Sequence, residues 1–351
     1  MWTSLLSSRN RCLTVRRYIS DNSTTIAFDR SIKLLQREGA ARTHKVWQDD
    51  ESRVDYDYFR NEVARRLIDR LDDIKREDGF PLALEIGSGA GIVHRMICSD
   101  VALHGSGGIG GVRKLVQIDS SESMLHRDEN LVINGGDRCG TYRMVKDEEG
   151  KLSFPDGTFD LVISSFALHW VNKLPDLFSE IKRVLKPDGC FMFAMIGGTT
   201  LPELRASFVM GEVEREGGVS PHVGPFVDVS DVGSLLTSAG FNLPTIDVDT
   251  IKIAFPNAMV LMEHLQRMGE SNACVNRRLR VASDTILATS CIYDELYQVE
   301  LEDKNDDACI EASVQVIYAI GWSPHDSQQR PSQRGSATHK VGEIVVDKVQ
   351  G

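Results

Sequence analysis

The sequence predicts a doubly wound α/β fold: seven strands in a sheet covered by helices on both faces, with a helical insertion late in the chain. Three observations predict it. Apolar runs alternate with amphipathic segments from residue 59 to residue 196, the rhythm of strands joined by crossover helices. The first run, Leu82–Ile86, breaks into glycines at 87, 89 and 91, as a buried strand does when it turns tightly beneath a helix. The second, Leu115–Ile118, ends in Asp119, the place where a doubly wound sheet grips ribose hydroxyls.

Composition sets the outer bounds. At 351 residues the chain can bury one large core with insertions. The formal charge is −11, and 51 acidic residues outnumber 40 basic ones, which argues against nucleic acid as a partner because phosphate binding relies on clustered cations. No apolar run approaches the length of a membrane span. The seven cysteines are scattered without C-x-x-C or Cys/His zinc spacing, so no metal site is expected and the thiols read as packing residues in a reducing compartment.

Residues 1–20 carry Arg9, Arg11, Arg16 and Arg17 and no acid, the pattern of a mitochondrial transit peptide removed near Ile19–Ser20. A single domain is expected over residues 26–322. A short helix is predicted over Phe28–Glu38, and Phe59, Val63, Leu67, Leu71 and Ile74 mark an amphipathic helix leading into the first strand. Tyr56 and Tyr58 precede it as anchoring aromatics.

The turn reads E-x-G-x-G-x-G from Glu85 to Gly91. Dinucleotide phosphates favour G-x-G-x-x-G, whereas an acid before the glycines pairs with a cation; this favours S-adenosylmethionine, with its sulfonium and amino group. A literal G-x-G-x-x-G at Gly105–Gly110 precedes a strand instead of following one, and reads as a flexible surface insertion. After Asp119, Ser120 and Met124 are expected beside the cofactor, with Met124 also packing the next helix. His126 and Asp128 form an H-x-D pair, but an iron triad needs strand geometry and a distant third ligand. Thr141–Val145 is a short third strand, beyond which Asp147 or Glu148 stands near the adenine amine.

Phe159–Ser164 is the fourth strand. The residues just past it, His169, Trp170 and Asn172, face the reacting atom in a sheet of this type and are candidates for substrate contact or proton handling. Asp176–Leu185 is an amphipathic helix stopped by Pro187-Asp188-Gly189, and Cys190–Ile196 the fifth strand. Beyond it come helices at Leu201–Glu216, Val229–Ala239, Ala258–Met268 and Leu279–Val299, with strands at Thr245–Phe255 and Val314–Trp322. Insertions at about residues 200–230 and 256–300 would lie over the carboxyl edge of the sheet as a lid. Residues 323–351 form a polar tail.

The segments EIGSGAG, QIDSSESML, FPDGTFDLVISSFALHWVN and LKPDGCFMFAMIGG resemble class I S-adenosylmethionine-dependent methyltransferases of the ubiquinone and biotin pathway type, which implies their Rossmann-like fold. LPELR, EREGGVSPHVGPF, MGESN, IGW and RPSQRGSAT narrow this: over residues 26–340 the chain resembles mitochondrial complex I assembly factors with a methyltransferase fold. The resemblance implies an arginine hydroxylase acting on a complex I subunit at the matrix face of the inner membrane, beside other assembly factors. It also implies a cofactor set of Glu85, Gly87, Gly89, Gly91, Asp119, Asp147 and Glu148. The chain departs from the family at residues 105–111 and in the acidic stretch Glu300–Asp307. A methyltransferase acting on a protein or small molecule, and an assembly chaperone without catalysis, are the alternatives.

Overall fold

The structure is a computed structural model that describes residues 26–47, 55–74, 76–99, 108–129, 139–299 and 309–329. The expected leader at residues 1–20, the acidic stretch and most of the tail lie outside the described residues. Strands β1 (Leu82–Ile86), β2 (Lys114–Asp119), β3 (Gly140–Val145), β4 (Phe159–Ser165), β5 (Leu185–Ile196), β6 (Asn242–Phe255), β7 (Gln298–Val299) and β8 (Cys309–Trp322) form one sheet. Its order is β3-β2-β1-β4-β5-β8-β6, with the two-residue β7 pairing β8 off that path. The first five strands run parallel, and β8 is antiparallel to both of its long neighbours. Strand order reverses between β1 and β4, so a crevice opens at their carboxyl ends, where ligands bind in open α/β sheets.

Nine helices are described: α1 (Arg30–Trp47), α2 (Tyr58–Asp72), α3 (Ile92–Ser99), α4 (Glu122–Leu125), α5 (Leu174–Val184), α6 (Pro202–Glu216), α7 (Val229–Ser238), α8 (Ala258–Arg267) and α9 (Ser283–Leu296). The period of two along β5 divides its residues between two cores. Met192 and Ala194 join Phe59, Val63, Leu67 and Leu71 of α2 on one face. Phe191, Phe193 and Met195 join Leu177, Phe178 and Ile181 of α5 and Val232 and Leu236 of α7 on the other. Helices α6 and α8 add Leu204, Phe208 and Leu261 to the α2 side.

Several expectations are corrected. Helix α1 continues nine residues beyond Glu38 to Trp47, where Ala40 and Ala41 are buried in a cluster with Met124. Strand β8 begins at Cys309, ahead of Val314, since it pairs with β6 as far as Phe255↔Ile310. Gly108–Gly111, expected to be loose, is packed: Ile109 is buried, and the Phe80 N–H donates to the Gly110 carbonyl at 2.8 Å. Gly79 and Gly111 approach so closely that a Cβ on Gly111 would stand 2.9 Å from the Gly79 Cα.

Candidate functional site

Strand β1 delivers Glu85 to the crevice, and the chain then turns through Gly87, Gly89 and Gly91 with φ of 67°, 54° and 75°, left-handed angles that favour glycine. Opposite, Asp119 ends β2 fully buried. Its Oδ2 accepts from the Gly89 N–H at 2.7 Å and its Oδ1 from the Ser121 N–H at 2.8 Å. Glu85, Gly87, Gly89, Ser120, Met124 and Glu148 line one cleft. Gly91 shapes the turn behind it. Of the two acids after β3, the Glu148 side chain is 1% exposed and that of Asp147 57%, so Glu148 is the one that faces the cleft.

Glu85 is buried, and its Oε2 accepts from Gln117 Nε2 at 2.8 Å. Burial pushes its carboxyl up to about 8, so the acid ionises readily only when a cation joins it. Between about 4.5 and about 8 the folded chain therefore holds a proton that the unfolded chain has lost, and stability falls as pH rises through that window. Glu85→Gln is expected to match the parent at pH 5 and to exceed it by about 1–3 kcal/mol at pH 8.5, measured by urea unfolding at both values. Parallel pH profiles of the two proteins would contradict this.

Three cations of α1 reach into the cleft. Arg30, Lys33 and Arg37 follow one another at helical spacing and share one face. Arg37 pairs with Asp119 Oδ2; burial lowers its guanidinium, but the charges of Asp119, Glu148 and Glu270 together more than offset this and hold it above its ordinary value. Arg30 Nη2 donates to Asp147 Oδ1 at 2.8 Å and to Glu148 Oε1 at 2.7 Å. Lys33 Nζ donates to Glu270 Oε2 at 2.9 Å and to the Gly269 carbonyl at 2.7 Å. With these side chains in place the open volume is about 40 Å³.

The donor set nonetheless fits an adenosyl ligand. Ser88 Oγ, Gln117 Oε1 and Glu148 Oε2 are buried without a hydrogen-bond partner, and buried polar atoms ordinarily have one. Arg37 occupies Asp119 Oδ2 in this arrangement.

The three residues expected to face the reacting atom separate. After β4 the chain makes a tight helical turn, Leu168–Trp170, which points consecutive side chains in different directions. Only Trp170 lines the cleft. Its Nε1 donates to Glu270 Oε2 at 2.7 Å, and Lys33 Nζ stands 3.4 Å from its ring centroid. His169 is buried among Phe166, Trp170 and Phe226. Its Nε2 is 3.7 Å from Glu270, too far for a hydrogen bond, neither ring nitrogen has a hydrogen-bond partner, and burial lowers its pKa, which leaves a neutral packing imidazole. Asn172 holds the amino-terminal segment instead of facing the cleft. Its Oδ1 accepts from the Ala27 and Phe28 N–H groups at 3.0 and 2.8 Å, and its Nδ2 donates to the Phe28 carbonyl at 3.1 Å.

Glu270, in the loop after α8, was not singled out by the sequence, although MGESN contains it. Burial pushes its carboxyl up, but the Lys33 charge, aided by Arg60, more than offsets this and holds it well below the usual range. Among the described residues no three His, Cys, Asp or Glu side chains are grouped to hold a metal. His126 Nδ1 meets Glu129 at 2.7 Å, and Asp128 is paired with Arg127.

A family model for a methyltransferase domain matches residues 84–193, from β1 into β5. The chain is 43% identical over 318 residues to the mitochondrial arginine-hydroxylase NDUFAF5 of Rattus norvegicus, covering 91% of this chain and 83% of that protein. The Danio rerio NDUFAF5 is 40% identical over 354 residues, covering 99% and 100%. The chain belongs to the arginine-hydroxylase NDUFAF5 family. A malonyl-[acyl-carrier protein] O-methyltransferase of Methylovorus sp. is more distant, at 30% identity over 76% of this chain and 82% of its own length.

In this member of the NDUFAF5 family a second cavity of about 220 Å³ adjoins the cleft, walled by Leu204, Phe208, Phe255, Leu261 and Met268. Phe166, Trp170 and Glu270 line both spaces. Tyr58 borders this second cavity, whereas Tyr56 packs edge-on against His264. The α1 cations carried a sequence signal in their spacing, but nothing in that spacing distinguishes a solvated face from one turned inward. No helix among the described residues is long and apolar enough to cross a membrane.

Proposed function

We propose that this chain is a mitochondrial complex I assembly factor that hydroxylates an arginine of a complex I subunit, and that it binds S-adenosylmethionine in the cleft at the ends of β1 and β2. The observation that carries the reading is the 43% identity, over 91% of this chain, to a protein named arginine-hydroxylase. The enzyme works in the matrix, in peripheral contact with the inner membrane, with a complex I subunit as substrate and other assembly factors as partners; it takes no nucleic acid. Within the cleft, Asp119 accepts from the ribose hydroxyls, Glu85 balances the amino group, and Glu148 accepts from the adenine amine. Gly87 and Gly89 let the ligand approach the backbone, Gly91 shapes the turn behind them, and Ser120 and Met124 border the ligand. When bound, S-adenosylmethionine supplies a sulfonium-borne methyl group and a fixed positive charge.

Hydroxylation adds one oxygen atom to arginine. With dioxygen as oxidant, a two-electron donor is also consumed and the second oxygen atom leaves as water. Methyl transfer asks only for alignment and a base. The two reactions therefore leave different products. Mass spectrometry of complex I subunits from null cells and from cells restored with this chain is expected to show one arginine that gains a single oxygen only in the restored cells. A gain of CH₂ instead would replace the hydroxylase with a methyltransferase, the activity named for the Methylovorus relative. Identical subunits in both cell lines would leave a docking chaperone and overturn the enzyme reading.

A further inference from the structure

We infer that Glu270 and the face of Trp170 anchor the guanidinium of a substrate arginine, whose methylene stem lies in the adjoining apolar cavity. The identity of the ligand rests on the arginine-hydroxylase reading; the geometry of the anchor does not.

Glu270 stands where the two cavities meet, sharing that position among the described residues with Phe166 and Trp170. It is built to hold cations. One carboxylate oxygen takes Arg60 of α2, and the other takes Trp170 Nε1–H at 2.7 Å and Lys33 Nζ at 2.9 Å. Lys33 Nζ also lies 3.4 Å from the Trp170 ring centroid, so a carboxylate and an aromatic face enclose a single positive group, an arrangement that recognises cationic ligands.

Arg60 and Trp170 belong to the body of the fold. Lys33 rides on α1, the helix whose Arg30 and Arg37 fill the cofactor cleft. Any movement of α1 that clears Asp119 for an adenosyl ligand also withdraws Lys33 and frees its place. Burial lowers the Lys33 ammonium to about 7, so the resident cation is one that gives way to a permanently charged guanidinium. A planar guanidinium also stacks on an indole better than an ammonium does.

The space beside this anchor completes the fit. About 220 Å³ is open between Leu204, Phe255, Leu261 and Met268, room for the stem of a long side chain. Apolar walls ending at one carboxylate suit a side chain with a methylene stem and a cationic head.

The test is calorimetric titration of the full chain with two probes, N-acetyl-arginine methylamide and its citrulline counterpart, in which a neutral urea replaces the guanidinium. The parent is expected to bind the arginine probe about tenfold more tightly than the citrulline probe, and Lys33→Ala to widen that preference. Glu270→Gln is expected to abolish it. Because Glu270→Gln strips the buried Lys33 of its counter-charge and leaves Arg60 only Asp57, Leu261→Phe is the second variant: it fills the cavity, leaves the ion pairs intact, and should weaken the arginine probe about tenfold without touching cofactor affinity. Equal affinity for the two probes in both the parent and Lys33→Ala overturns the inference. So does a parallel loss of S-adenosylmethionine binding in Glu270→Gln and Leu261→Phe, which assigns Glu270 to the cofactor. Probe discrimination without oxygenated arginine in cells leaves the anchor standing and removes the hydroxylase reading; oxygenated arginine without discrimination does the reverse.

Discussion

Asp119→Ala is expected to lower unfolding stability by about 3–5 kcal/mol and to abolish S-adenosylmethionine binding. The carboxylate is fully buried, receives the Gly89 and Ser121 N–H groups, and balances the Arg37 guanidinium. Truncation leaves that guanidinium without a counter-charge in a poorly solvated cleft, where a broken ion pair costs far more than an intact one contributes. The double variant Arg37→Ala/Asp119→Ala should regain much of the stability and none of the binding. Arg37→Ala alone should tighten binding by about tenfold, because the guanidinium no longer competes for Asp119. Chemical denaturation and calorimetry on all three variants read the two effects separately. A folded Asp119→Ala protein with parental affinity would remove Asp119 from the cofactor site.

Gly87→Ala is expected to cost about 3 kcal/mol or more. Two penalties combine: the added Cβ would stand 2.2 Å from the Ala167 Cβ, a clash that backbone must move to relieve, and the residue has φ of 67°. Ala167→Gly in the same chain should remove the clash and leave the conformational penalty of roughly 1–2 kcal/mol. Thermal unfolding of the single and double variants distinguishes the two contributions. If the double variant were no more stable than Gly87→Ala, the contact between the turn and the segment after β4 would not be the cause.

Much of the fold could be read along the chain. The apolar runs that became β1, β2, β4 and β5 are bounded by glycine, proline and acid punctuation, and strand formation there follows from local burial with alternating faces. The glycine turn was equally plain, because positive φ is a property of single residues and glycine bears it at least cost. Asp119 was placed by its position after the second strand, which a parallel sheet carries to the crevice whatever the side chains elsewhere.

The site was legible only in part. His169 and Asn172 follow the correct strand, but a three-residue turn decided that Trp170 alone faces the cleft. Glu148, not its neighbour Asp147, is buried toward the ligand side. The strongest electrostatic feature, α1 lying across the crevice with Arg30, Lys33 and Arg37 in its acids, joins residues 82 positions apart at Arg37 and Asp119 and 237 apart at Lys33 and Glu270.

The sequence by itself determined the first four strands and the core of the fifth, the glycine turn, the acid beside it and the family. The early starts of β5 and β8 and the two-residue β7, the eighth strand where seven are expected, follow from pairing between distant segments. Tertiary structure alone decided which charges meet, that the cleft is closed by the chain's own cations, and that an apolar cavity opens beside Glu270. Backbone preference depends on near neighbours in sequence, whereas the partner of a buried charge depends on which distant segments share a space that water does not screen.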